Sequence, residues 1–590
     1  MHPTPRTTAG RRVHKLATVG PTVRVRIVAL LLALAAMVAC GSVRATAGAA
    51  PATHSAAVAA AETLYADWLD AGAAVDAIDS GLMATVDGRD RAGWLEARNG
   101  ARHELDARLS ALHERSLGHD DARATRLMRE ALAEAAADPE AGQTATGAAP
   151  PLAPGGAHCD GAQHEDATAT QLRAALYACF DEFGQDIPFE GRRIVRTTAL
   201  ALLAELDTAE RRRALFAALT PLWIAVNADD SPTSPYRRLL RAEGAAARAS
   251  RHSPVSAAAA TLGTTSAQAE RWLVALLEAW RQANPGPPLE PWDYWHHYAT
   301  ASRALDARVP LEAIAALNQR FYADLGVDLA RLQVLDDLAP RLNKAPLAYA
   351  DHVRIGRYVD GLWRPAVLRV SANMAHGGLF VLNELVHEYG HAAHEAAIRT
   401  RPAFYSMGDT LFLEAFADVP SWSVAEPDWQ RRYLGVTAGK TGAARELLSN
   451  VMLDVAWGLF ELRMLRDADT DPNVLWSDIA RRYLNVVPHP ELSWWALRVQ
   501  LVESPGYMAN YGLGAILTAE LRARINARIG RFDAGNPRWY GFVSQRLLAQ
   551  GAAVDTPVLL RRFLGRPVTP AALIGQIRRL QRAGATSIPR

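Results

Sequence analysis

GGLFVLNELVHEYGHAAHEAA, residues 377–397, contains no proline and carries HEYGH at 387–391. On a helix, side chains four apart lie one above the other on the same face, so His387 and His391 can offer two imidazoles to a single ion. Zinc takes histidine nitrogen at about 2.0–2.1 Å, and an i, i+4 pair supplies two such donors without bending the backbone. Glu388 points about 100° round the helix axis. That direction suits a general base acting on water at the ion better than a third ligand. Leu382, Leu385, Val386 and Tyr389 provide an apolar flank for packing.

The next informative segment is FLEAFADVPSWSV at 412–424. Glu414 opens an E-x-x-x-D unit that again spans one helical turn. As a third protein ligand it leaves the fourth position of one zinc ion per chain open, as a catalytic site requires. Asp418, one turn on, is placed to accept a hydrogen bond from the free nitrogen of a ligating histidine, which fixes the tautomer and raises ligand basicity.

Outward from these motifs the chain reads as mostly α. LYADWLDAG, WLEARNGARHELDARLSALHERSL and RLMREALAEAA give an amphipathic helical region within 41–137. DPEAGQTATGAAPPLAPGGAHCDG loses this periodicity, and 138–164 reads as a linker or loop. Helical segments resume from 165 to 590, with TQLRAALYACFDEF and TTALALLAELDTAERRRALFAAL as examples. AVLRVSA at 366–372 is the best strand candidate and predicts a small β element near the histidine helix. Such a strand could pair with an extended ligand by main-chain hydrogen bonds, and His376 in the following NMAHGG could line that edge.

Several segments resemble two related families of helical gluzincin zinc peptidases. HEYGHAAH is similar to the HExGHxxH core of thimet-oligopeptidase-like enzymes, and EPWDYWHHY at 290–298 resembles their upstream PWD segment. EAFADVPSWSV resembles the angiotensin-converting-enzyme family, whose third zinc ligand opens an E-A-x-x-D-V segment, and SWWALR at 493–498 resembles that family's paired tryptophans. SPGYMANYGLGAIL at 504–517 and GAAVDTPVLLRRFLGRPVTPAALIGQI at 551–577 resemble the tyrosine-bearing and C-terminal helices of both. The resemblance implies a large two-lobed helical peptidase with a deep central cleft, cutting short peptides as an oligopeptidase or peptidyl-dipeptidase. It also implies a tyrosine hydroxyl as oxyanion donor, Tyr511 first and Tyr507 second. Alignment on the Pro-Ser of VPSW would instead make Asp418 the third ligand; the EAFADV string favours Glu414. Both families place a histidine nine or ten residues before the zinc-facing tyrosine, where this chain has Val502 and Leu501. A catalytically inactive zinc- or peptide-binding protein with this fold is therefore the alternative. Arg498 is read as a structural arginine or a carboxylate clamp, and His296 and His297 as packing or cleft-wall residues.

Composition agrees with a large folded chain: 590 residues, 49% hydrophobic and 21% charged. Six basic residues and no acids precede position 40, which leaves 58 basic against 62 acidic side chains in the remainder. No concentrated basic face points to nucleic acid. The apolar run IVALLLALAAMVAC at 27–40 has 14 residues, short of the roughly 20 needed to span a bilayer. It fits the core of a secretory signal, with Cys40 in lipobox position. Residues 1–40 therefore predict export in a bacterium, as a membrane-anchored periplasmic lipoprotein if Cys40 is acylated. Cys159 and Cys179 are then an even pair in a compartment that permits disulfides, with a bridge or two free thiols both open.

Overall fold

A computed structural model describes residues 55–137, 167–250, 253–340, 348–439 and 441–585. Cys40, Cys159 and the segments expected to be signal and linker lie outside these residues. From Ser55 on, the chain clusters into one unit. Helices dominate it, beginning with Ala56–Asp79, Arg91–Ala111 and His119–Ala137. These three bury Val58, Trp68, Leu105 and Met128 against Ala403 and Phe404. The apolar periodicity of the N-terminal region is thus used on the surface of the larger body. No described helix is long and apolar enough to cross a membrane.

The β structure is small. β1 (Ile187–Phe189) and β2 (Arg192–Ile194) form one hairpin. β3 (Val334–Asp337), β4 (Tyr349–Arg354) and β7 (Val367–Ser371) form a sheet in the order β3-β7-β4, and β5 (Arg357–Val359) pairs with β6 (Leu362–Arg364) outside it. β7 runs parallel to β3, with Val334 opposite Leu368, and antiparallel to β4, with Tyr349 opposite Ser371. The expected strand thus exists, but the expectation that it pairs with an extended ligand is corrected. It is the central strand, and its main-chain groups are already taken by neighbours on both sides. The edge strands of this sheet are β3 and β4.

Arg369 on β7 is buried, and a guanidinium that deep needs partners. It pairs with Asp351 on β4 and donates to Ser80 Oγ at 2.6 Å, which ties the sheet to the end of the first helix. The sheet lies against the HEYGH helix, Leu379–Ala397. Tyr389 of that helix donates to Asp336 of β3 at 2.7 Å, and Glu395 meets His352 of β4 at 2.7 Å. At its start, Asp306 accepts from the Leu379 N–H at 2.8 Å, an anion at the positive end of a helix dipole. Gly377 precedes it because a Cβ there would lie 2.2 Å from the Val309 carbonyl oxygen.

On its other side the HEYGH helix packs on the EAFAD helix, Thr410–Ser421, and that helix packs on the tyrosine helix, Met508–Ile529. The contact with the EAFAD helix is unusually close. A Cβ on Gly390 would lie 2.8 Å from both Cα and O of Ala417. The glycine of HEYGH and the small residues of EAFAD therefore let two backbones touch, and this approach brings Glu414 to the histidines.

Candidate metal centre

His387, His391 and Glu414 meet. The Nε2 atoms of the two histidines are 3.1 Å apart, and Glu414 Oε2 lies 3.4 Å from the first and 3.9 Å from the second. It is the one group of three or more His, Cys, Asp or Glu with metal-binding spacing among the described residues. Two nitrogens each about 2.0–2.1 Å from one tetrahedral ion would be about 3.3 Å apart, so the donor set fits zinc. The group is not sealed: the side chains of His387 and Glu414 are each 21% exposed, and that of His391 is 8% exposed.

Asp418 Oδ1 sits 2.9 Å from His387 Nδ1. A carboxylate can only accept, so Nδ1 carries the proton and the Nε2 lone pair is left to face the cluster. Asp418 thus stands behind His387, while Glu414 joins the nitrogen pair. Burial alone would raise the Glu414 carboxyl, but His387 and His391 outweigh it and hold it below its usual range. It remains an anion.

Glu388 is buried on the same helix, and its Oε2 has no hydrogen-bond partner. Burial pushes its carboxyl up to about 7, His387 pulling against this while Glu414 and Glu384 add to it. A carboxylate beside a metal triad, unpaired and with raised proton affinity, is chemically a proton acceptor in waiting.

The two tyrosines differ in what their hydroxyls meet. Tyr507, at the N-cap of its helix, directs its hydroxyl to Glu414 Oε1 at 3.4 Å. Tyr511 lies one turn on, its ring 5.4 Å from that of Tyr507, and its hydroxyl accepts from Gln500 Nε2 at 3.5 Å. Burial, then Glu414, raises both hydroxyls, Tyr511 to about 12, so each stays a donor. Leu501 and Val502, at the positions where the two resembled families carry a histidine, are fully buried apolar residues.

The remaining candidates have contacts of their own. Arg498 is bound to Asp454 and lies 4.8 Å over Trp457. His296 meets the Ala204 carbonyl at 3.2 Å, and His297 packs edge-on to Tyr298. His376 is exposed in the turn before the HEYGH helix, its Nδ1 bonded to Gly377 O at 2.8 Å. Cys179 is buried and disulfide-bonded.

One residue has no motif to announce it. Glu461 is fully buried on the helix Gly442–Arg466 and accepts from the N–H groups of Gly506 at 2.7 Å and Met508 at 2.9 Å. These bonds bracket Tyr507. The only signal in the sequence is an acid in the otherwise apolar run AWGLFEL at 456–462, and nothing local says what it caps.

No family model matches the sequence, and no curated protein matches it. Solved structures do. The M32 carboxypeptidase from Deinococcus radiodurans R1 is 16% identical over 89% of this chain and 99% of its own, with a TM-score of 0.50. A putative oligoendopeptidase F is 16% identical over 89% and 96%, and PZ peptidase A, solved with an inhibitor, is 14% identical over 89% and 97%, each with a TM-score of 0.52. At such identities the likeness is one of fold: this chain shares a large, mostly α architecture with those structures.

Proposed function

We propose that this chain is a zinc-dependent peptidase that hydrolyses bonds in short peptides, with His387, His391 and Glu414 as ligands of one zinc ion. The observation that carries the reading is the meeting of those three donors beside an unpaired, buried Glu388. Zinc bound there would supply Lewis acidity and bring the pKa of a bound water from 15.7 to about 7. Glu388 takes the proton of the attacking water and passes it to the leaving amine. Tyr507, and Tyr511 behind it, donate hydroxyl hydrogen bonds towards the oxygen on which negative charge develops. The fold shared with carboxypeptidase and oligoendopeptidase structures supports the same class of reaction.

The test is Glu388→Gln, which keeps size and removes the base. Zinc content and thermal stability should match wild type, while cleavage of a mixed peptide library falls at least about a hundredfold. Near-wild-type rates in this variant would refute the mechanism. Peptides with free and amidated C-termini distinguish internal cleavage from C-terminal release. Leu501 and Val502 favour one second reading, a zinc- or peptide-binding protein without turnover. Wild-type protein with stoichiometric zinc that cleaves no peptide would establish it.

We further propose, from the basic and apolar start of the chain, that the peptidase acts outside the cytoplasm and is anchored to a membrane through a lipid on Cys40. Mass spectrometry of the mature N-terminus should find an acylated Cys40. An unmodified terminus beginning after Ala47 would show ordinary secretion.

A further inference from the structure

The face of the HEYGH helix that carries the ligands continues towards its N-terminus through two residues with no assigned task. Phe380 is seven residues before His387, about 20° from it round the axis and about 10.5 Å along it. It is 66% exposed, second only to Leu362 among the large hydrophobic side chains of the described residues. Glu384 lies between them, four residues before Glu388 and so on the same side as that group, about 4.5 Å along the axis from His387.

Glu384 is half-buried and has no hydrogen bond or ion pair among the described residues. Burial disfavours its charged form, and His387 and then His376 favour it. Neither histidine is bonded to it: His376 is turned to the Gly377 carbonyl and His387 is held by Asp418. A carboxylate half withdrawn from water and without a bonded partner gains from a cation brought to it. Four residues on from an exposed aromatic ring, it forms a pair suited to a long cationic side chain. The aliphatic stem lies on the ring, the cation can sit at its face, and the carboxylate receives charged hydrogen bonds.

We propose that Phe380 and Glu384 form the subsite for a lysine or arginine side chain of the substrate. Preferred peptides would then carry a basic residue one or two positions from the bond that is cut. The spacing follows from the axial separation, since an extended peptide advances about 3.3 Å per residue. The inference rests on the peptidase reading above and names its substrate class.

The test uses full-length, zinc-loaded protein and a peptide series in which each position in turn is arginine, norleucine or glutamate. Wild type should show a kcat/KM about tenfold higher for arginine than for norleucine at one position within two residues of the cleaved bond. Glu384→Gln should collapse that ratio towards one, Glu384→Asp should restore part of it, and Glu384→Lys should turn it in favour of glutamate. Phe380→Ala should reduce the arginine preference about threefold. Zinc content is measured in every variant. No arginine preference in wild type, or an unchanged preference in Glu384→Gln, overturns the subsite and leaves the peptidase reading standing. Zinc-loaded wild type that cleaves no member of the series overturns both.

Discussion

Two parts of the molecule converge on the same centre by different means. His387, His391 and Glu414 come from helices only 12 residues apart in the chain, Leu379–Ala397 and Thr410–Ser421, held together by a close contact at Gly390. Tyr507 and Tyr511 arrive from nearly a hundred residues further on. Glu461, 45 residues before Gly506, accepts from the N–H groups on either side of Tyr507. The ligand side is therefore built from local periodicity and one glycine, the tyrosine side from a buried carboxylate at a long-range junction. Damage to the first should remove the metal. Damage to the second should leave the metal and impair turnover.

The largest effects test the ligand side. His387→Ala, His391→Ala and Glu414→Ala should each lose stoichiometric zinc and with it measurable peptide cleavage, because three protein donors make the tight site. Asp418→Ala should keep zinc with affinity lowered about 10–100-fold. Metal analysis under a competing chelator reads both. Full retention in Glu414→Ala with loss in Asp418→Ala would reverse the two assignments.

Next comes the tyrosine side. Tyr507→Phe should lower kcat about a hundredfold with little change in KM or zinc content, and Tyr511→Phe should cost less. The reverse order of the two would return Tyr511 to first place as oxyanion donor. Glu461→Gln puts an amide where two N–H groups need an acceptor, and should lower kcat about tenfold. If it acts through Tyr507, the substitution adds nothing to kcat in a Tyr507→Phe background. Equal losses in both backgrounds would show that Glu461 serves the fold only.

The smallest effect is the most specific. Alanine favours a helix over glycine by about 1 kcal/mol, so on propensity alone Gly390→Ala should stabilise. The added methyl would stand 2.8 Å from the Ala417 backbone, and overpacking of this kind costs about 1–3 kcal/mol. A lower melting temperature together with a few-fold weaker zinc affinity is expected. A stabilised variant with unchanged affinity would mean that the close approach does not position Glu414.

Much of this centre is legible in the amino-acid sequence alone. The i, i+4 spacing puts His387 and His391 on one face of any helix that contains them, and the E-x-x-x-D unit does the same for Glu414 and Asp418. The strand at 366–372 is legible from its alternation. What alternation does not show is its place at the centre of the sheet, because strand order depends on which distant segments supply the partners. Nor does spacing show that Tyr507 is the one whose hydroxyl meets Glu414, since the two tyrosines lie one helical turn apart. The roles proposed for Glu461, Glu384 and Phe380 are hidden for the same reason. Periodicity within one helix determines which way a side chain points, over a few residues and a few ångströms. Which group it meets is decided by the approach of other helices and strands, and that is set by packing between residues tens or hundreds of positions apart.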